Sequence, residues 1–182
     1  MRGFTLIELI IVTAILSTTL SVGIPNFRAM LENHHARISL YTLRKILHKS
    51  RILALEYRIK VTVCPLKEKQ CSNDWSNPLI AFNDINSDQV LDDNERVFMS
   101  VQNTMHYGFW QKKKATQSYI NFTPLGHAFG SATTFLYCPN SGYDSAGKQL
   151  VISFQGRVRT NSYLSNRGTP YANLAPLSCD QP

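Results

Sequence analysis

Carboxylates are scarce in the second half of this 182-residue chain. Residues 97–182 hold two acidic side chains, Asp144 and Asp180, against seven Lys and Arg. Stretches of recognisable enzyme chemistry are missing as well. There is no HExxH, no phosphate-cradling glycine loop and no Ser-His-Asp order. Asp92 and Asp93 are adjacent and fit a solvated turn better than an acid–base pair. His127 follows Gly126 in a predicted loop and reads as a polar surface residue rather than a base. His34, His35 and His48 form no metal-ligand set, and adjacent histidines diverge on a helix. No internal repeat and no low-complexity linker divides the chain. These absences exclude a repeat architecture and leave an enzyme without candidate machinery; neither a cofactor nor a metal is expected.

One long apolar run is present. Phe4 to Ile24 contains a single charge, Glu8. At ~1.5 Å per residue a helix of this length crosses a ~30 Å hydrocarbon layer. An ordinary secretory signal places its small-residue cleavage site after the apolar region. Here the small residue, Gly3, precedes it, with Arg2 as the basic flank. A cut between Gly3 and Phe4 would leave the helix attached and create an amine at Phe4. Glu8 would be costly in lipid unless paired or protonated. The amine of a neighbouring copy could pair with it and set a register for assembly; a plain single-pass anchor is the alternative.

The formal net charge of +7 is unevenly spread. Residues 28–60 hold eight basic and two acidic residues, whereas residues 67–96 hold three and seven. Beyond Pro25, a point of expected kinking or local melting, the helix is predicted to continue. Ala36, Leu40, Leu43, Leu47, Ser50 and Ala54 recur at helical spacing, flanked by Ile46 and Leu53. Arg37, Arg44, Lys45, Lys49, Arg51 and Arg58 read as a solvated or headgroup-facing surface. After residue 58 the period becomes two. Strands are predicted at Ile59–Val63, Arg96–Val101, Ser118–Phe122, Thr133–Tyr137 and Gln149–Phe154, with Val158–Asn161 closing a hairpin near Gly156. The expected class is α+β: a long N-terminal helix packed on an antiparallel β-rich head. Its divisions would be a leader at 1–3, a membrane or filament-core helix at 4–25, an amphipathic continuation at 26–58 and a head with its tail at 59–182.

Four cysteines allow three pairings. An exported head permits disulfides. Cys64–Cys71 with Cys138–Cys179 is the preferred set: the first closes a short loop begun by Pro65, and the second ties down a ragged tail. Four buried thiols are the alternative. The acidic segment places Asp84, Asn86, Asp88, Asp92 and Glu95 at positions one, three, five, nine and twelve of a calcium loop, but Gln89 stands where that loop needs glycine. An Asx-rich turn accounts for it equally well.

Two basic elements stand in the second half. Lys112, Lys113 and Lys114 follow the aromatic residues Tyr107, Phe109 and Trp110 and are expected in a loop. In Gly156-Arg157-Val158-Arg159, strand alternation puts both arginines on one side, ~7 Å apart, a spacing suited to successive phosphates. Arg167 could extend the patch. Solvated surface charge is the bland reading of each.

The opening Gly3-Phe4-Thr5-Leu6-Ile7-Glu8-Leu9 resembles the class III signal of type IV pilins and type II secretion pseudopilins. The resemblance implies that a prepilin peptidase cleaves after Gly3 and methylates Phe4. It also implies that the helix packs into a filament core and that Glu8 pairs with a neighbour's N-terminus. Val61–Cys64, Trp75, the Phe82–Asn86 turn, Asn121–Pro124 with Gly126, and Thr134–Cys138 resemble the globular pattern of the GspH/FimT family. Ser76, Asn77 and Pro78 depart from it, since glycine is common there. The Gly156-Arg157-x-Arg159 stretch resembles that of FimT-type minor pilins, which bind DNA in natural transformation. By that resemblance double-stranded DNA is a partner, held at Gly156, Arg157 and Arg159 with Lys112, Lys113, Lys114 and Arg167 helping. The other implied partners are major and minor pilins, the peptidase and the inner membrane before assembly, with the head periplasmic and then extracellular in a pilus. A structural minor pilin or a type II secretion pseudopilin without DNA binding is the competing expectation.

Overall fold

The structure is a computed structural model that describes residues 5–102, 107–113, 117–140, 147–161 and 179. Gly3, Phe4, Lys114 and Arg167 lie outside the described residues.

Helix α1 runs unbroken over Leu6–Tyr57, 52 residues, or ~78 Å. Thr5 caps it, its Oγ1 accepting from the Glu8 backbone N–H at 3.4 Å. Glu8 is thus the third helical residue, where a carboxylate complements the positive end of the helix dipole. Hydroxyls in the apolar half are satisfied within the helix: those of Thr13, Ser17, Thr18, Thr19 and Ser21 donate to carbonyls three or four residues back. That makes them tolerable in lipid. Pro25 neither ends nor melts the helix, contrary to the sequence expectation of a possible melting point. The next residue, Asn26, donates through Nδ2 to the Val22 carbonyl at 2.9 Å. Helix α1 is long and apolar enough to cross a membrane. Its C-terminal end is set by Arg58 in the left-handed conformation, φ 53°.

Only the second half of α1 is buried, through Ala36, Leu43, Ile46, Leu47, Ser50 and Ala54. Among the described residues every strand pairing of the head is antiparallel. One sheet holds β1 (Val61–Lys67), β2 (Gln70–Cys71), β3 (Leu79–Phe82), β4 (Val97–Val101) and β6 (Ile120–Phe122). Strand β1 is central, flanked by β3 and β6, with β4 outside β3 and the short β2 folding back on the end of β1. The second sheet has the order β5–β7–β8–β9, from β5 (Gly108–Lys113), β7 (Thr133–Pro139), β8 (Lys148–Ile152) and β9 (Val158–Asn161).

Helix α1 packs against both sheets. The main core joins Leu43, Ile46 and Leu47 to Val61, Val63 and Ile120 of the first sheet and to Phe135, Tyr137 and Leu150 of the second. Trp75 bridges them, its ring edge-on to Phe135 at 4.5 Å. The far face of the first sheet buries a smaller cluster, Cys64, Ile80 and Phe82. Both faces of β1 are therefore covered, so its burial is continuous rather than alternating.

The loop after β3 engages its acidic side chains within the head. Asp84 is buried and accepts from Thr62 Oγ1 at 3.1 Å. Glu95 accepts from the backbone N–H groups of Ile85 (2.7 Å) and Asp92 (3.3 Å). Asp88 and Asn86 close successive Asx turns on Val90 and Asp88. Among the described residues no three metal-ligating side chains converge.

Disulfides join Cys64 to Cys71 and Cys138 to Cys179, the pairing preferred from the sequence. Their separations are 7 and 41 residues. In the chain-entropy account the longer loop stabilises by ~4 kcal/mol and the shorter by ~2. Replacing Cys138 and Cys179 with serine is expected to lower the chemical-unfolding midpoint of the full chain more than the same change at Cys64 and Cys71. Unfolding titrations of both variants in one detergent check this ordering.

Candidate nucleic-acid interface

The register of the second sheet decides which side chains share a surface. Phe135, Leu150 and Ile152 face the core. Lys112 pairs with Phe135, which pairs with Leu150 and then Thr160, so this row points inward. The neighbouring row is Lys113, Thr134, Val151 and Arg159, and it points outward. Arg157 lies two residues before Arg159 on the same side, opposite Ser153.

Arg157 and Arg159 are both exposed. With Val151, Ser153 and Gln155 they line one open groove of about 340 Å³. Neither guanidinium has an ion-pair or hydrogen-bond partner among the described residues. Two planar donor forks side by side on an open wall can chelate anionic oxygens.

Gly156 makes this arrangement possible. It closes the β8–β9 turn, donating to the Ser153 carbonyl at 2.8 Å, and its φ is +71°. A Cβ there would stand 2.1 Å from the Gly126 carbonyl oxygen. That oxygen accepts from Arg51 Nε at 2.9 Å. Ala128 N–H donates to the Phe154 carbonyl at 2.9 Å and fastens the same two turns again. The arginine-bearing hairpin is thus latched through the 123–128 turn to α1. Sequence reasoning assigned Arg51 to a solvated surface; it is half-buried and structural. Its signal was available, since it lies one turn beyond Leu47 and one turn before Ala54. His127 is likewise half-buried rather than a surface residue, its ring edge-on to Phe129 at 4.9 Å.

The lysines do not form the expected loop. Lys112 and Lys113 belong to β5. The inward row carries Lys112 Nζ to 5.9 Å from the Trp75 ring centre, where it is shut off from solvent and without a hydrogen-bond partner. Burial pushes its pKa down to about 8. Strand alternation is the cause: adjacent lysines on a strand cannot share a face. Lys113 alone of the described pair is on the outward row with Arg159, three strands away, or ~14 Å.

Residues 42–156 match the family described as Type II transport protein GspH. The chain belongs to the GspH family. Its fold is similar to the type IV minor pilin FimU of Pseudomonas aeruginosa, known from two crystal forms. One form has a TM-score of 0.58 at 21% identity, covering 83% of this chain and 99% of that one. The other has a TM-score of 0.55 at 21% identity, covering 79% and 99%. No curated protein matches. This GspH-family chain therefore has a type IV pilin-like fold. Its apolar helix fits membrane anchoring.

Gly156→Ala is expected to cost on the order of 2–4 kcal/mol, because it adds both left-handed strain and a backbone clash. A chemical-unfolding curve measures it. Lys112 generates a pH dependence. Its folded pKa of about 8 lies below its ordinary value of 10.5. Between these values the unfolded chain binds more protons, so this residue makes stability rise with pH. Below about pH 8 the penalty is present in full. Wild type is expected to gain on Lys112→Met as pH rises from 8 to 10, read from unfolding midpoints of the two proteins.

Proposed function

We propose that this chain is a minor type IV pilin that binds extracellular DNA through phosphate contacts and promotes its uptake in natural transformation. The observation that carries this reading is the shared groove of Arg157 and Arg159, free of any described carboxylate partner. Sequence-independent binding needs little more than guanidinium forks at phosphate spacing on an exposed wall. The basic surplus of residues 97–182 favours polyanions as partners. Gly156 latches the hairpin, and Lys113 belongs to the same face. Lys112, buried against Trp75, is not a contact residue. Lys114 and Arg167 remain proposed helpers.

The division of the chain follows the same reading. Residues 1–3 are a leader removed by a prepilin peptidase, and Phe4 becomes the methylated N-terminus. Residues 4–25 anchor the subunit in the inner membrane and later lie in the filament core, residues 26–58 continue the helix, and residues 59–182 form the head. Glu8 pairs with the terminal amine of a neighbour in the filament. The head is periplasmic before assembly and extracellular in the pilus, where retraction draws bound DNA toward the cell.

The family description favours a second reading, a type II secretion pseudopilin that contacts protein and not DNA. Electrophoretic mobility shifts separate the two. The full chain in detergent is expected to retard duplex DNA at low salt, with retardation lost as salt rises. Arg157→Ala with Arg159→Ala is expected to abolish the shift at moderate salt. The slope of log K against log [salt] should become shallower by about 1.8. A wild-type protein that leaves duplex unshifted at low salt would favour the secretion reading.

A further inference from the structure

Three large apolar side chains of the head are exposed on the turns that carry and latch the arginine hairpin: Leu125 at 72%, Phe129 at 62% and Phe154 at 60%. They belong to the two turns that the Gly126–Gly156 contact brings together. Phe154 is the first residue after Ser153, which lines the groove, and lies three residues before Arg157. Phe129 follows Ala128, whose N–H donates to the Phe154 carbonyl. Both phenylalanines thus stand on one fastened pair of turns.

We infer that Phe154 and Phe129 form a stacking platform for unpaired nucleobases, so that the groove takes single-stranded DNA in preference to duplex. The inference rests on the DNA-binding reading above and names the form of DNA. Its physical basis is the combination of π-faces and cations. Arginines that hold a backbone bring its bases against whatever lies alongside, and an aromatic face accepts any base without reading its identity. In a duplex the bases are already stacked on each other and do not reach a ring at the protein surface. The platform is stiff before binding: Gly126 N–H donates to Thr123 O, Thr123 N–H to His127 O and Ser131 N–H to Ala128 O. Edge contact with the His127 ring further restrains Phe129. Little order is therefore lost when a base docks.

The surrounding charge argues for a nucleic-acid occupant over a protein one. An apolar protein patch would find no carboxylate to pair with across 97–143, the stretch that carries Leu125 and Phe129, nor across 145–179, which carries Phe154. A polyanion gains from both the rings and the field. Leu125 provides an internal control, being apolar and the most exposed of the three, yet without a π-face.

The test is fluorescence anisotropy on the full chain in detergent. The probes are a labelled mixed-sequence 20-mer, its duplex and a 20-mer of the same length built from abasic sites. Wild type is expected to bind the single strand at least about fivefold more tightly than the duplex or the abasic strand. Phe154→Ala with Phe129→Ala should weaken single-strand binding about tenfold or more, leave duplex binding within about twofold and preserve the salt slope. Phe154→Trp should retain the preference, and Leu125→Ala should not alter it. Equal affinity for abasic and base-bearing strands overturns the inference while the phosphate-binding reading stands. An equal loss from Leu125→Ala overturns it in favour of general apolar contact. Wild type that binds none of the three probes removes both readings together.

Discussion

One face of α1, from Ala36 to Ala54, is the joint on which the head depends. Both sheets pack on it, and no strand of one sheet hydrogen-bonds to a strand of the other among the described residues. The stripe mixes small and large side chains. Ala36, Ser50 and Ala54 are fully buried beside Leu43, Ile46 and Leu47. A core that is common to both sheets makes them one cooperative unit even though their ladders are separate. Trp75 adds a second link by reaching Phe135 from the first sheet's side.

That joint also decides where the groove lies. Strand β9 pairs only with β8, so it is the outer strand of its sheet among the described residues. Edge strands invite unwanted pairing, and charged side chains on them resist it. Arg157 and Arg159 satisfy that protective role and offer anion contacts at once. An edge hairpin would be loose if only its own ladder held it. Here the Gly126 carbonyl, sandwiched between Gly156 and Arg51, ties it to the helix.

The helix and its buried stripe were legible in the sequence because a 3.6-residue period sustained over several turns is what a helix with one covered face produces. Strands β1, β4, β6, β7, β8 and β9 were found to within a few residues by their alternation. Strand β3 was not, because both its faces are covered and Leu79–Phe82 shows no period. Strand β5 was lost for a different reason: a run of lysines reads as solvent, whereas Lys112 lies folded against Trp75. Gly156, Arg157 and Arg159 were legible since alternation alone fixes their faces. Arg51 was legible only in part: helical spacing puts it beside the buried stripe, but its acceptor is a backbone carbonyl 75 residues away, which no local pattern encodes. Phe129 and Phe154 were passed over because single exposed aromatics carry no periodic signal.

The latch at Gly126 has a mechanical consequence. A head pulled at β9 and held by its helix feels tension along a line from β9 to α1. With a bridge at Arg51, that load can enter the helix without first passing through every rung of the β8–β9 ladder. Zipper-like peeling from the hairpin tip is thereby opposed at the end where it would begin.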